Sequence, residues 1–270
     1  MKFEGLYNGE VVPKLGLGTW GIGGDMSPDY SRDREYTRGL QTAIQLGYTH
    51  LDTAEMYAGG HTEELVGRAI QAFERQALFI TSKVSPSHLG YEKVLAALEG
   101  SLKRLGTPYL DLYLIHWPDE RVPLEETFRA LNQLVAEKKV RHLGVSNFNL
   151  DQLKRAYEIS ESPLITNQVP YSLHNRNYAH NDVLKFCQDH SLLLTAYTPI
   201  EKGRVARDPE INSIAQKYKA TPVQVALNWL VCQPGVITIP KSTNTLHLQE
   251  NLDALEIELS AQDVERLDRI

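Results

Sequence analysis

The chain is expected to fold as a single (β/α)8 TIM barrel over residues 1–270, with a short N-terminal β-hairpin. Three observations predict it. Eight short apolar runs alternate with longer segments of helical periodicity, the pattern of parallel strands with crossover helices. The length of 270 residues suits eight such units. Each apolar run also ends on a polar or aromatic group suited to binding or proton transfer. A doubly wound open sheet is the alternative, because periodicity does not report closure.

The elements follow in order. Residues 3–18 carry Gly and Pro punctuation and read as a hairpin leading into a strand, Leu15 to Thr19. Gly16-Leu17-Gly18-Thr19-Trp20-Gly21 matches G-x-G-x-x-G, but Ile22-Gly23-Gly24 and Pro28 follow where a dinucleotide fingerprint needs a helix. Arg32 to Leu46 places Tyr36, Leu40, Ala43 and Ile44 on one face, and Gly47 stops it. A strand ends at Leu51-Asp52. Thr62 reads as the N-cap of the next helix, with Glu63 and Glu64 in its first turn. Strand Leu78 to Lys83 leads to helix Tyr91 to Leu105, ended by Gly106. Strand Leu110 to His116 precedes a helix that Pro123 opens and that runs through Lys138.

The alternation continues with strand Val140 to Val145 and a helix capped by Asn149, running through Ile159. Next come strand Leu164 to Val169, helix Asp182 to His190, and strand Leu192 to Tyr197. Two helical pieces, Pro209 to Lys219 and Pro222 to Cys232, lead to the last strand, Val236 to Pro240. Helical segments Thr245 to Leu252 and Ala261 to Leu267 end the pattern.

A net charge of -6 without a basic block argues against nucleic acid as a partner. No apolar run reaches the ~18 residues that a membrane span needs, and the N-terminus has no signal core. Cys187 and Cys232 read as free thiols in helical segments, so a cytoplasmic location is expected.

Barrel sites form at the C-terminal ends of the strands. Here those ends carry Thr19-Trp20, Asp52 to Tyr57, Lys83, His116-Trp117, Ser146-Asn147, Gln168, Tyr197-Thr198 and Lys241-Ser242. Asp52 and Lys83 close adjacent strands, and a carboxylate in a partly buried rim needs such a partner. A phenol near its reference pKa of ~10 donates a proton poorly at neutral pH, and a neighbouring ammonium lowers that value. Asp52, Lys83 and Tyr57 therefore read as a tuned general acid, with His116 orienting a carbonyl oxygen or sharing the proton.

The motifs Gly47-Tyr48-Thr49-His50-Leu51-Asp52-Thr53-Ala54 with Tyr57, Lys83, Leu114-Ile115-His116-Trp117-Pro118, Gly144-Val145-Ser146-Asn147-Phe148 and Ile239-Pro240-Lys241-Ser242 run almost the whole length. In them the chain resembles the aldo-keto reductases. The resemblance implies that Asp52, Tyr57, Lys83 and His116 reduce small aldehydes or ketones with hydride from NADPH, with NADH possible but weaker. It further implies that Ser146, Asn147 and Gln168 hold the carboxamide and that Tyr197 stacks on the nicotinamide. Lys241 and Ser242 would meet the 2′-phosphate, with Glu250 and Asn251 near the adenine. Thr19 and Thr198 fall in the same cofactor set, and Trp20 and Trp117 would wall the substrate pocket. Thr198 stands where the family often has Ser. His247 stands where many NADPH-using members have Arg, which weakens the expected grip on the 2′-phosphate. Nothing follows Ile270, where many members carry a long tail over the site, so an open pocket is expected.

Competing readings are set aside by spacing. A short-chain dehydrogenase needs Tyr-x-x-x-Lys, and none of the 13 tyrosines has it. The 9 histidines show no H-x-x-x-H or similar metal-ligand spacing. A non-catalytic, nucleotide-sensing subunit on the same fold is the alternative function, because fold does not fix function. The expected partner is a small carbonyl compound and the expected state a monomer.

Overall fold

Backbone hydrogen bonds join the first and last strands of one sheet and close it, in a computed structural model that describes residues 1–270. Gly16 N donates to Thr238 O at 2.8 Å, Thr238 N to Lys14 O at 2.8 Å, and Gly18 N to Pro240 O at 3.1 Å. The open-sheet alternative is thereby excluded. A small antiparallel hairpin, β1 (Phe3–Gly5) with β2 (Val11–Pro13), precedes the barrel. The barrel strands are β3 (Leu17–Gly18), β4 (His50–Asp52), β5 (Phe79–Val84), β6 (Leu110–Ile115), β7 (Val140–Ser146), β8 (Leu164–Pro170), β9 (Leu193–Tyr197) and β10 (Val236–Thr238). They pair in parallel in chain order as an 8-stranded sheet.

The helices are α1 (Asp33–Leu46), α2 (His61–Ile70), α3 (Tyr91–Leu105), α4 (Leu124–Ala136), α5 (Leu150–Ile159), α6 (Asn177–His180), α7 (Val183–Asp189), α8 (Pro209–Lys217), α9 (Pro222–Cys232), α10 (Thr245–Asp253) and α11 (Ala261–Leu267). Gly47 and Gly106 end α1 and α3 in the left-handed conformation, at φ 111° and 62°. Asn149 and Thr221 form capping boxes with Gln152 and Gln224.

Element ends fall within one or two residues of expectation, and two helix starts differ in how they are capped. Thr62 is not an N-cap: α2 begins at His61, and the buried Thr62 hydroxyl donates to Ile22 O at 2.7 Å, tying the loop after β3 to the helix. Pro123 is the N-cap of α4 and not its first helical residue. The helix expected over Asp182 to His190 is present as α7, with Asp182 as its N-cap at φ 64°, and a short helix that was not expected, α6, precedes it.

A layer of 41 buried apolar residues lies between much of the sheet and its helices. A smaller cluster of Leu6, Val12, Leu112, Leu114, Ile165, Leu193 and Ile237 joins the hairpin to barrel residues. Fully burying each such leucine contributes roughly 1.5–3 kcal/mol. The hairpin thus takes part in packing the barrel interior, and the opposite, C-terminal end is left to the loops.

The G-x-G-x-x-G match is resolved by packing. A Cβ on Gly16 would stand 2.7 Å from His50 Nδ1, and one on Gly18 2.6 Å from Ile239 O. These glycines let strands approach where the barrel closes. No helix follows until α1, so they do not cradle a pyrophosphate in the Rossmann manner.

Candidate active site

Three adjacent strands and the turn after the first of them bring four side chains together. Asp52 ends β4, Lys83 lies near the end of β5, and His116 follows β6. Tyr57 comes from a kinked turn after β4, in which Ala58 and Gly59 have φ 49° and 61°. Positive φ at an alanine is strained, and such strain persists where surrounding contacts enforce it. Here Ala58 N donates to Asp25 O at 2.8 Å.

Lys83 has no solvent exposure. Its ammonium donates to Asp52 Oδ1 at 2.6 Å, Thr53 O at 2.8 Å and Tyr57 Oη at 3.1 Å, so all three protons are used. Burial opposes its charge, yet Asp52 and then Tyr57 hold its pKa above the ordinary value. Tyr57 departs from expectation. Burial raises its pKa above that of a free phenol, and Lys83 offsets only part of the rise. His116 is pushed down to about 3, by burial first and by Lys83 second, so its imidazole is neutral. Its ring lies 5.5 Å from the Tyr57 ring, and Trp20 packs edge-on to Tyr57 at 4.9 Å.

A chain of hydrogen bonds continues from this group. Gln168 Nε2 donates to Asp52 Oδ2 at 2.8 Å. Ser146 Oγ donates to Gln168 O at 2.8 Å, and Asn147 Nδ2 donates to Ser146 Oγ at 2.9 Å and to His116 O at 3.0 Å. Tyr197 Oη donates to Asn147 Oδ1 at 2.8 Å. Thr19 Oγ1 donates to Asp52 O at 2.8 Å.

A cavity of about 620 Å³ opens above these groups at the C-terminal end of the barrel. Of the residues expected at the site, Thr19, Trp20, Asp52, Tyr57, His116, Trp117, Ser146, Asn147, Gln168, Tyr197, Thr198 and Lys241 line it. Lys83 lies behind the wall. Ser242, His247, Glu250 and Asn251 do not line it. Ser242 forms a tight turn with Asn244, His247 is exposed on α10, Glu250 is half-buried a turn later, and Asn251 is buried beside Tyr48. Sequence reading missed Met56, Ile200 and Lys202, which also line the cavity. Ile200 and Lys202 sit three to five residues beyond β9, past the strand-end positions from which the site was read.

A barrel carrying a buried acid–lysine–phenol group and a neutral imidazole under an open cavity has the equipment for acid-assisted chemistry on a small polar bond. The sequence profile of the Aldo/keto reductase family matches residues 14–270, and the chain belongs to this family. It is an oxidoreductase acting on carbonyl groups. It is 37% identical to methylglyoxal reductase YeaE of Escherichia coli, over 97% of this chain and 93% of that protein. It is also 37% identical to glyoxal reductase of Bacillus subtilis, over 98% and 91%. Its fold matches the thermostable aldo-keto reductase Tm1743, solved with the inhibitor epalrestat, at TM-score 0.97 and 47% identity, covering 100% and 99% of the two chains. An aldo/keto reductase from Klebsiella pneumoniae, solved with NADP and acetate, matches at TM-score 0.91 and 37% identity, covering 99% and 94%. No helix of the chain is long and apolar enough to cross a membrane.

Proposed function

We propose that the protein reduces small aldehydes and ketones to alcohols with NADPH, Tyr57 supplying the proton. The carrying observation is the buried Lys83 ammonium, 2.6 Å from Asp52 and 3.1 Å from the Tyr57 hydroxyl. Asp52 keeps Lys83 charged. Lys83 in turn stabilises the phenolate that remains once Tyr57 has given its proton to the carbonyl oxygen. His116, being neutral, can accept or donate one hydrogen bond to that oxygen without competing as a charge.

The cavity fits a nicotinamide dinucleotide by its donor set. Tyr197 offers an aromatic face whose tilt its bond to Asn147 fixes. Ser146, Asn147 and Gln168 offer amide-matching groups, and Lys241 lies at the rim. The bound nicotinamide supplies hydride to the carbonyl carbon. Ser146, Asn147 and Gln168 already bond one another and Asp52, so holding a carboxamide requires them to exchange partners. NADPH over NADH is supported by the Klebsiella pneumoniae relative solved with NADP and by Lys241 as a phosphate partner.

Trp20 and Trp117 are 45% and 46% exposed at the mouth, so few contacts reach the distant part of a substrate. Breadth across several small aldehydes follows, with weak apparent affinity. All the groups named come from one chain, which supports action as a monomer. The test is NADPH oxidation by the purified protein against a panel of small aldehydes and ketones, repeated with NADH. Tight NADPH binding without turnover of any member would favour a nucleotide-sensing role instead. A single substrate preferred more than ~1000-fold over close analogues, ~4 kcal/mol, would contradict an open pocket.

A further inference from the structure

The loop after β9 is held in an unusual conformation from outside the cavity. Thr198, Glu201 and Lys202 all have positive φ, at 54°, 49° and 56°. Three left-handed non-glycine residues in five positions cost conformational free energy, which other contacts must offset. On its inner side this loop gives Thr198, Pro199, Ile200 and Lys202 to the cavity. On its outer side it is fastened to the segment after β8, by Ser172 and His174.

His174 Nδ1 lies 3.1 Å from Glu201 Oε1, and Nε2 lies 2.9 Å from Asp208 Oδ2. Glu201 stands within the strained turn, and Asp208 is the N-cap of α8 at its far end. The same Glu201 oxygen accepts from Ser172 Oγ at 2.6 Å and His174 N at 3.3 Å, and Arg204 bonds its other oxygen at 3.3 Å. The charged groups facing the ring are thus Glu201 and Asp208, with Arg204 behind Glu201. Both carboxylates are held below the usual range although burial opposes it; Ser172 leads for Glu201 and His174 for Asp208. A neutral imidazole has only one N–H, so serving two carboxylates at once requires the imidazolium.

We propose that His174 is a positioning residue: as an imidazolium it latches loop 198–208 against the cavity, and its deprotonation loosens that loop and speeds release of the bound dinucleotide. This rests on the reading that the cavity takes a nicotinamide dinucleotide. Deprotonation turns one of the two bonds into a lone pair facing a carboxylate, leaving the strained turn with one anchor fewer.

Two measurements test it. The first is amide hydrogen exchange of residues 198–208 in the free protein at pH 6.5 and 8.5, corrected for intrinsic exchange. Wild type is expected to lose protection about tenfold at the higher pH, the scale of one charge-assisted bond. His174→Gln should show the low protection at both values. Asp208→Asn, which keeps the helix cap, should move the loss to lower pH. The second is the NADPH dissociation rate by stopped-flow fluorescence. It should rise about tenfold over the same range in wild type and stay flat, at the fast value, in His174→Gln. The variant also controls for titration of the cofactor itself. Equal corrected protection at both pH values in wild type, or the same fall in His174→Gln, would overturn the latch. A loop that responds as expected in a protein that binds no NADPH would support the latch and overturn the cofactor assignment.

Discussion

Gln168 and Asp52 are separated by 116 residues and joined by one hydrogen bond, Nε2 to Oδ2 at 2.8 Å. With Lys83 on Oδ1, the buried carboxylate has a donor on each oxygen. Removing one donor leaves a buried charged acceptor half-satisfied, at a cost of about 1–3 kcal/mol. Gln168→Ala is therefore expected to lower unfolding free energy by that amount in urea at pH 7. An unchanged midpoint with an unchanged slope would show that water or another side chain replaces the amide.

Tyr57→Phe keeps the ring between Trp20 and His116 and removes the hydroxyl that Lys83 holds. Turnover should fall by at least ~100-fold while NADPH affinity stays within a few-fold. Burial keeps the wild-type phenol protonated beyond its ordinary range, so Tyr57 should impose no fall in reduction rate across the neutral region. Activity within a few-fold of wild type in the variant would remove Tyr57 from the role of proton donor.

Acid should weaken the fold through two buried histidines. Burial, above all, holds His50 down to about 4, and burial with Lys83 holds His116 down to about 3. In the unfolded chain both return to ~6.5. Their folded pKa values are depressed, so the unfolded state binds more protons between the two limits. Stability is complete above ~6.5 and is lost as pH falls toward 4. Each histidine contributes up to ~1.4 kcal/mol per pH unit. His50→Asn should reduce the drop in unfolding free energy between pH 7 and pH 5 by about 2 kcal/mol. A drop equal to that of wild type would mean His50 is not held neutral.

Much of this was legible in the chain. The eight strands, their order and the functional ends followed from apolar runs closing on Asp52, Lys83, His116 and Ser146, because a strand buried on both faces leaves a local signature. What was not legible depends on contacts between distant segments. Barrel closure rests on bonds between residues 14–18 and 238–240, which no period reveals. Thr62 has the composition of a cap, but Ile22 O, 40 residues away, takes its hydroxyl. The pKa of Tyr57 was misjudged in direction, because a neighbouring lysine is visible in sequence order and the depth of burial that outweighs it is not.

The cofactor's 2′-phosphate supplies the last prediction. Asn244 caps α10, accepting from Leu246 N at 2.9 Å and His247 N at 3.2 Å, so two of the N–H groups that a helix N-terminus can offer an anion are already taken. Ser242 is likewise engaged in its turn with Asn244. On the proposed NADPH reading, phosphate selectivity would fall to side chains: Lys241, a point charge on the rim, and the exposed His247 beyond it. A guanidinium at that second position presents a fork that matches phosphate oxygens, and one charge-assisted bond of this kind is worth about 1.5–3 kcal/mol. His247→Arg is expected to tighten NADPH about tenfold or more and to leave NADH nearly unchanged. The measurement is the dissociation constant of each cofactor by fluorescence titration for both proteins. If the ratio of the two constants does not move, His247 does not face the 2′-phosphate, and selectivity at this site rests on Lys241 alone.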